Sequence, residues 1–209
     1  GIKLIKNKID LILHKPITSI LFDERLRVKD TSSNDLIISD INLIFEREKK
    51  VDALICNFDL QIPLVNHAQN IFKNIYELLN NDGYFCFNLL TINSFTTLQK
   101  IFLEIDNHVF NGAHRRFGPF HDTSNIISNL NDNKFKEVVV STENLEVNYK
   151  SLNKIRKDFK ELGISNYYIE KSKTNKTFYK KTTSLFKELL IKHNYIPIEI
   201  EISTFTSWK

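Results

Sequence analysis

Methionine is missing altogether from the 209 residues, and glycine (five), proline (four), cysteine (two) and tryptophan (one) are scarce. Each shortage removes a class of structure. Against a usual roughly 7% glycine, Gly1, Gly83, Gly112, Gly118 and Gly163 leave few places where the backbone can turn left-handed or approach a ligand closely. No run of about 18 uncharged apolar residues occurs, so no membrane-spanning helix is expected. Cys56 and Cys86 both lie within apolar runs and read as buried thiols of a reducing compartment, not as a disulfide framework. The lack of methionine beside so little glycine also raises the expectation that segments of the natural chain are missing from this sequence.

What is present is a repeating apolar pattern. An apolar strand at Val51–Cys56 ends on the polar Asn57, and a helix follows over about Leu64–Leu79. An Asn-Asp-Gly turn at Asn81–Gly83 then leads into a second apolar strand, Tyr84–Leu90. Two such strands joined by an amphipathic helix make a βαβ unit with parallel strands. In an open parallel sheet, ligands bind beyond the carboxyl ends of the strands, so residues 57–60 and 88–91 should border any cleft.

Other elements are less sharply drawn. Gly1–His14 places Ile2, Ile5, Ile9 and Ile12 at helical spacing and reads as an amphipathic surface helix, not a signal peptide. Short strands are expected at Ile17–Phe22 and Leu36–Ser39, and helices at about Ser94–Asp106 and Thr123–Leu130. Strand character returns at Glu137–Ser141 and in the alternation of Leu145, Val147 and Tyr149. Helices are expected again at Ser151–Leu162, stopped by Gly163, and at Lys176–His193. Ile196, Ile198, Ile200 and Ile202 alternate with Pro197, Glu199, Glu201 and Ser203, the pattern of an antiparallel or edge strand. The order predicts one domain over residues 1–209, α/β in class. It is a three-layer, mostly parallel sheet with antiparallel strands at its end and a helical insert at 151–193. The insert carries eleven Lys/Arg against four acids, a net +7 within a chain whose total is +4. Such a face can hold an acidic partner; a solvated surface is the simpler reading, and nucleic acid is not expected.

Several segments in this order resemble class I S-adenosylmethionine-dependent methyltransferases. Ile38-Ser39-Asp40-Ile41 and Val51 through Leu60 are similar to the family's third and fourth strands, and Leu78 through Phe85 to its turn into the fifth. Arg116-Phe117-Gly118-Pro119-Phe120-His121-Asp122, Val147-Asn148-Tyr149, Leu162-Gly163-Ile164-Ser165-Asn166 and Thr206-Ser207-Trp208-Lys209 resemble a narrower branch. That branch contains the malonyl-carrier-protein methyltransferase of biotin synthesis and a related mitochondrial complex I assembly factor. The resemblance covers about residues 36–209 and implies a Rossmann-like methyltransferase fold. It further implies S-adenosylmethionine as cofactor and a small-molecule or protein methyl acceptor. Arginine hydroxylation with a complex I subunit as partner is the alternative. A bacterial cytoplasm, or a mitochondrial matrix if the source is eukaryotic, is implied as location. One departure stands out. Where the family carries a glycine-rich cofactor turn, Phe22 through Val28 contain no glycine. Either a segment is missing between Phe22 and Leu36, or the chain is a degenerate relative that serves as a binding module.

The resemblance assigns Asp40 to the adenine amino group and Ile41 to the adenine ring edge. It sets Asn57 and Phe58 along the methyl-transfer site and Asp23 near the cofactor turn. Arg116, flanked by phenylalanines, would hold a substrate carboxylate or phosphate, and Tyr149 would face the same pocket. Asp40 as a turn cap, Asp23 as a plain surface charge, Arg116 as a solvated arginine in a loop pinned by its phenylalanines, and Tyr149 as a core-edge residue are the plain alternatives. His108, His114 and His121 recur at spacings that fit no helix face, and a metal site is not expected. No side chain is singled out as catalytic.

Overall fold

A computed structural model describes residues 19–22, 35–38, 49–161 and 173–209. The expected helix at Gly1–His14, the expected capping turn at Gly163, and Asp23, Asp40 and Ile41 lie outside the described residues. The described elements are β1 (Ser19–Phe22), β2 (Asp35–Ile38), β3 (Val51–Asn57), α1 (Leu64–Leu78), β4 (Leu79–Leu90) and α2 (Thr96–Phe110). They continue with α3 (Thr123–Asp132), β5 (Lys136–Tyr149), α4 (Leu152–Glu161), α5 (Lys176–His193) and β6 (Ile196–Trp208). The strands form one sheet in the order β2-β1-β3-β4-β6-β5. β1 pairs in parallel with β2 and β3, β3 pairs in parallel with β4, and β6 runs antiparallel to β4. The βαβ reading of residues 51–90 thus describes the centre of the sheet.

Register is what positions a site here. Phe22 pairs with both Ile38 and Cys56, and Asn57 pairs with Asn88. The carboxyl ends of β2, β1 and β3 therefore finish within one residue of one another, and β4 runs two residues beyond the Asn57–Asn88 pair, the end of an open parallel sheet at which ligands bind.

The chain divides into two compact units. The first comprises residues 1–92, 120–143 and 202–209; the second comprises 93–119 and 144–201. The expected single domain with an insert at 151–193 is thus drawn differently, because the basic segment groups with α2 and its flanking loops. In the first unit, Leu54, Cys56, Phe85, Phe87 and Phe205 on one face of the sheet pack with Leu64, Phe72, Ile75 and Leu78 of α1 and Ile126 and Leu130 of α3. Phe87 stacks on Phe85 and on Phe205, with ring centroids 4.6 and 4.9 Å apart. On the opposite face, Ala53, Ile55, Tyr84 and Cys86 cluster with Trp208. Burying these apolar and aromatic side chains supplies most of the unit's stability, at about 25 cal/mol per Å² of surface removed from water.

The second unit is an aromatic cluster. Phe95, Phe102, Phe117, Phe159, Phe178 and Phe186 meet edge-on, tilted or stacked at centroid distances between 4.8 and 6.3 Å. These rings come from Phe95 just before α2, from α2, α4 and α5, and from the loop after α2, so the apolar stripes of the three helices converge.

Three elements depart from the sequence expectation. β4 begins at Leu79, taking in the expected turn, with a register irregularity opposite Val51 and Ala53. Gly83 permits that passage, because a Cβ there would lie 2.7 Å from the Asn80 carbonyl oxygen and 2.9 Å from Leu79 Cβ. β5 is one continuous strand, not two pieces. β6 is the antiparallel one of the two expected alternatives, and it extends to Trp208 between β4 and β5, not at an edge. Its alternation ends at Ile202 because Ser203 through Ser207 are all buried, and small hydroxyl residues conceal a strand covered on both faces.

Candidate functional site: the strand tips of β3 and β4

The first unit gathers polar side chains where β3 and β4 end. Asn88, fully buried, uses both ends of its amide. Its Oδ1 accepts the Phe58 N–H at 2.8 Å, and its Nδ2 donates to Asn57 Oδ1 at 3.0 Å. Phe58 holds a left-handed backbone, φ 66°, which costs a non-glycine residue of order 1–2 kcal/mol. The bond from Asn88 helps to hold that turn, and it redirects the chain immediately after β3. Asn57, Phe58 and Asp59 remain half-buried at the tip.

Gln61 makes the second clamp. Its Oε1 accepts the Leu90 N–H at 2.7 Å and its Nε2 donates to the Leu90 carbonyl at 3.0 Å, so a side chain from beyond β3 completes the end of β4. His121 closes the arrangement. Its backbone bridges Thr91, donating to Leu90 O at 3.3 Å and accepting from Ile92 N at 3.2 Å. Its Nε2 lies 2.7 Å from the Gln61 carbonyl oxygen. Burial lowers the His121 pKa from 6.5, and the hydrogen bond to Gln61 opposes that shift. In the adjoining segments, Ile62, Val65 and Ile92 are exposed at 41, 40 and 50%.

The structure brings Asn57 and Phe58 together and gives Arg116 and Tyr149 other partners. Arg116, expected to hold a substrate anion, has its guanidinium engaged inside the second unit. Nε lies 3.0 and 2.9 Å from the two carboxylate oxygens of Asp106, Nη2 also bonds Asp106, and Nη2 donates to the Lys173 carbonyl at 2.9 Å. The guanidinium carbon sits 3.8 Å from the Phe178 ring centroid, and the two charged side chains are 7% and 0% exposed. A fork occupied in this way is not presented to a substrate, so the expectation for Arg116 is corrected to a structural role. Tyr149 is likewise buried. Its phenol is pushed up to about 12, first by burial and then by its hydrogen bond to Asp158, which makes it a structural phenol of the second unit. The sequence set Asn88 at the border of a cleft and His121 within a family-like motif, but gave neither a role, and it did not single out Gln61, whose partner Leu90 lies 29 residues away.

The comparisons follow the same line. A protein of Rickettsia prowazekii named as a methyltransferase is 29% identical over 160 residues, 76% of this chain and 68% of its own length. The malonyl-[acyl-carrier protein] O-methyltransferase 1 of Coxiella burnetii is 21% identical, over 86% of this chain and 61% of that protein. The mitochondrial arginine-hydroxylase NDUFAF5 of Dictyostelium discoideum is 23% identical, over 77% of this chain and 37% of that protein. Among solved structures, a Bacillus halodurans protein described as a methyltransferase superposes with a TM-score of 0.52 at 9% identity, covering 100% of this chain and 99% of that one. A protein of Methanosarcina mazei described as an S-adenosylmethionine-dependent methyltransferase gives a TM-score of 0.50 at 9% identity, over 97% and 96% of the two chains. The chain is thus similar in sequence to methyltransferases and shares the fold of S-adenosylmethionine-dependent ones. No family profile matches the methyltransferase-like chain. It spans about two thirds or less of the length of these curated relatives.

The chemistry of the strand tips in their described part is compatible with the cofactor of the methyltransferases to which the chain is similar. A half-buried polar turn at Asn57–Asp59, level with the ends of β1 and β2, offers backbone and amide groups to a nucleoside-bearing ligand. Among the described residues, no helix is long and apolar enough to cross a membrane.

Proposed function

We propose that this chain transfers a methyl group from S-adenosylmethionine to an oxygen or nitrogen acceptor, at the carboxyl ends of β3 and β4. The supporting observation is the pair Asn57–Asn88, which fixes the Phe58 turn at the level where β1 and β2 also end. Asn57 and Phe58 would line the cofactor, with Asp40, Ile41 and Asp23 completing its adenine and turn contacts. When bound, S-adenosylmethionine supplies an electrophilic methyl on a positively charged sulfur. The protein's part is to bind and orient. Asn88 holds the turn after β3, Gln61 ties the end of β4 to it, and Ile62, Val65 and Ile92 keep water from the reacting atoms. Such transfers depend mainly on proximity and alignment, which explains why the clamps are structural amides and not a paired acid and base.

Calorimetric titration with S-adenosylmethionine and with S-adenosylhomocysteine tests this reading. Saturable heat and a raised melting temperature are expected with both. No heat and no thermal shift at millimolar ligand would overturn it. The resemblance to a family branch that includes an arginine-hydroxylase gives a second reading. Intact-mass analysis of an acceptor separates the two, since methylation adds a CH2 unit and hydroxylation a single oxygen.

A further inference from the structure

His121 combines three properties at the strand tips. It is held on both sides of its peptide by Leu90 and Ile92, so its position follows the end of β4. Its Nε2 faces a carbonyl oxygen at 2.7 Å. A carbonyl only accepts, so Nε2 carries the proton, and in the neutral ring Nδ1 is the bare, basic nitrogen. No hydrogen bond to Nδ1 is found among the described residues. Meanwhile Gln61, whose carbonyl fixes this tautomer, is itself clamped to Leu90 through its side chain. The chain orients one imidazole nitrogen and leaves the other without a hydrogen bond on a half-buried ring.

We propose that His121 is the proton acceptor of the transfer, and that the methyl acceptor is consequently a hydroxyl or an amine, not a carboxylate. This rests on the methyltransferase reading above. In the step, the acceptor's lone pair forms a bond to the methyl carbon while the carbon–sulfur pair stays on sulfur, which becomes neutral. The acceptor's O–H or N–H bond breaks, its electrons remain on the heteroatom, and the proton passes to Nδ1. The resulting imidazolium returns that proton to solvent. A carboxylate has no proton to lose near neutral pH and would need no such base. Burial keeps the ring neutral at pH 7, which is the form the step requires. The ionisable side chains carried by the neighbouring segments are Asp59 after β3, His67 in α1, and Asp122, whose carboxylate accepts the Ser124 N–H; the end of β4 carries none.

Nitrogen-15 NMR of histidine-labelled protein, assigned with His121→Gln, tests the proposal without an acceptor. Glutamine can still donate to the Gln61 carbonyl, so the clamp survives while the base is lost. The expected result is an Nε2–H tautomer and a titration midpoint at least about half a pH unit lower with S-adenosylmethionine bound than with S-adenosylhomocysteine, because only the former places a positive charge beside the ring. An Nδ1–H tautomer, or equal midpoints with both ligands saturating, overturns the role of His121 while leaving cofactor binding intact. Failure of either ligand to bind removes the methyltransferase reading and this proposal together. A transfer assay uses p-nitrophenol, benzylamine and a malonyl thioester of N-acetylcysteamine as probes. Methylation of the phenol or the amine is expected, slowed about 100-fold in His121→Gln, with S-adenosylhomocysteine affinity within threefold of wild type. Methylation of the thioester's carboxylate alone, or no loss in the variant, overturns the assigned acceptor class.

Discussion

The two units bury polar groups in opposite ways. In the second, an ion pair sits inside a shell of phenylalanines: Asp106 takes the Arg116 fork and the His114 N–H at 3.2 Å, and Phe178 covers the guanidinium. The buried charges of that pair are matched within the same unit. Among the described residues of the first unit the buried polar side chains are uncharged, and the two amides among them, Gln61 and Asn88, grip the backbone of adjacent strand ends. Those clamps fix the shape of a turn and leave Asn57, Phe58 and the His121 ring partly open to a ligand. Internal charge pairing stabilises a particular arrangement and removes the groups from chemistry. Amide clamping stabilises a particular arrangement and leaves a reactive edge.

The sharpest way to break this contrast is at the ion pair. Asp106→Ala leaves Arg116 buried without its partner and is expected to cost about 3–5 kcal/mol, read from urea unfolding of the second unit. The double variant Asp106→Leu with Arg116→Met should recover most of that loss. Were the double variant as unstable as the single one, the pair would be contributing more than mutual compensation.

In the first unit, Asn88→Ala removes the acceptor for the Phe58 N–H and the donor to Asn57. About 1–3 kcal/mol is expected, together with weakened S-adenosylhomocysteine binding measured by calorimetry. Arg116→Lys should weaken stability without a matching loss of ligand affinity, so the pair of measurements separates the two units. Asp122→Ala deletes the side-chain acceptor for Ser124 N–H at the start of α3, with about 1 kcal/mol expected in a thermal melt.

The smallest effect is pH dependence. His121 has a folded-state pKa below its unfolded value of 6.5. Its contribution to stability is therefore complete above the unfolded pKa and lost as pH falls through the folded one, because the unfolded chain takes up the proton first. Melts between neutral pH and the lower folded pKa should show a downward slope toward acid that His121→Gln flattens. An unchanged slope would mean that another group titrates in that window.

How much was legible in the sequence differs between the two regions for the same reason. The β3–α1–β4 core could be read because its pattern is local: apolar runs, a helix-length spacer and Gly83 at a close approach. Asn57 and Phe58 followed as the polar end of a strand. The clamps could not be read. Gln61 reaches Leu90, and His121 reaches Gln61 across 60 residues, and no local spacing announces such a partner. Arg116 misled because an arginine between phenylalanines looks the same in sequence whether its fork faces a ligand or an aspartate ten positions earlier. The continuous β5 was hidden by its exposed, mixed composition.

Cys86 pairs in register with Ile55, while Cys56 pairs with Phe87, so the two thiols lie on neighbouring strands but project through opposite sides of the sheet. They cannot cross-link to each other without turning a strand over. Each is instead a natural sensor of its own side. The alkylation rate of Cys56 would clock how often the α1–α3 cover lifts, and that of Cys86 how often the far surface is bared, from a single unmodified protein.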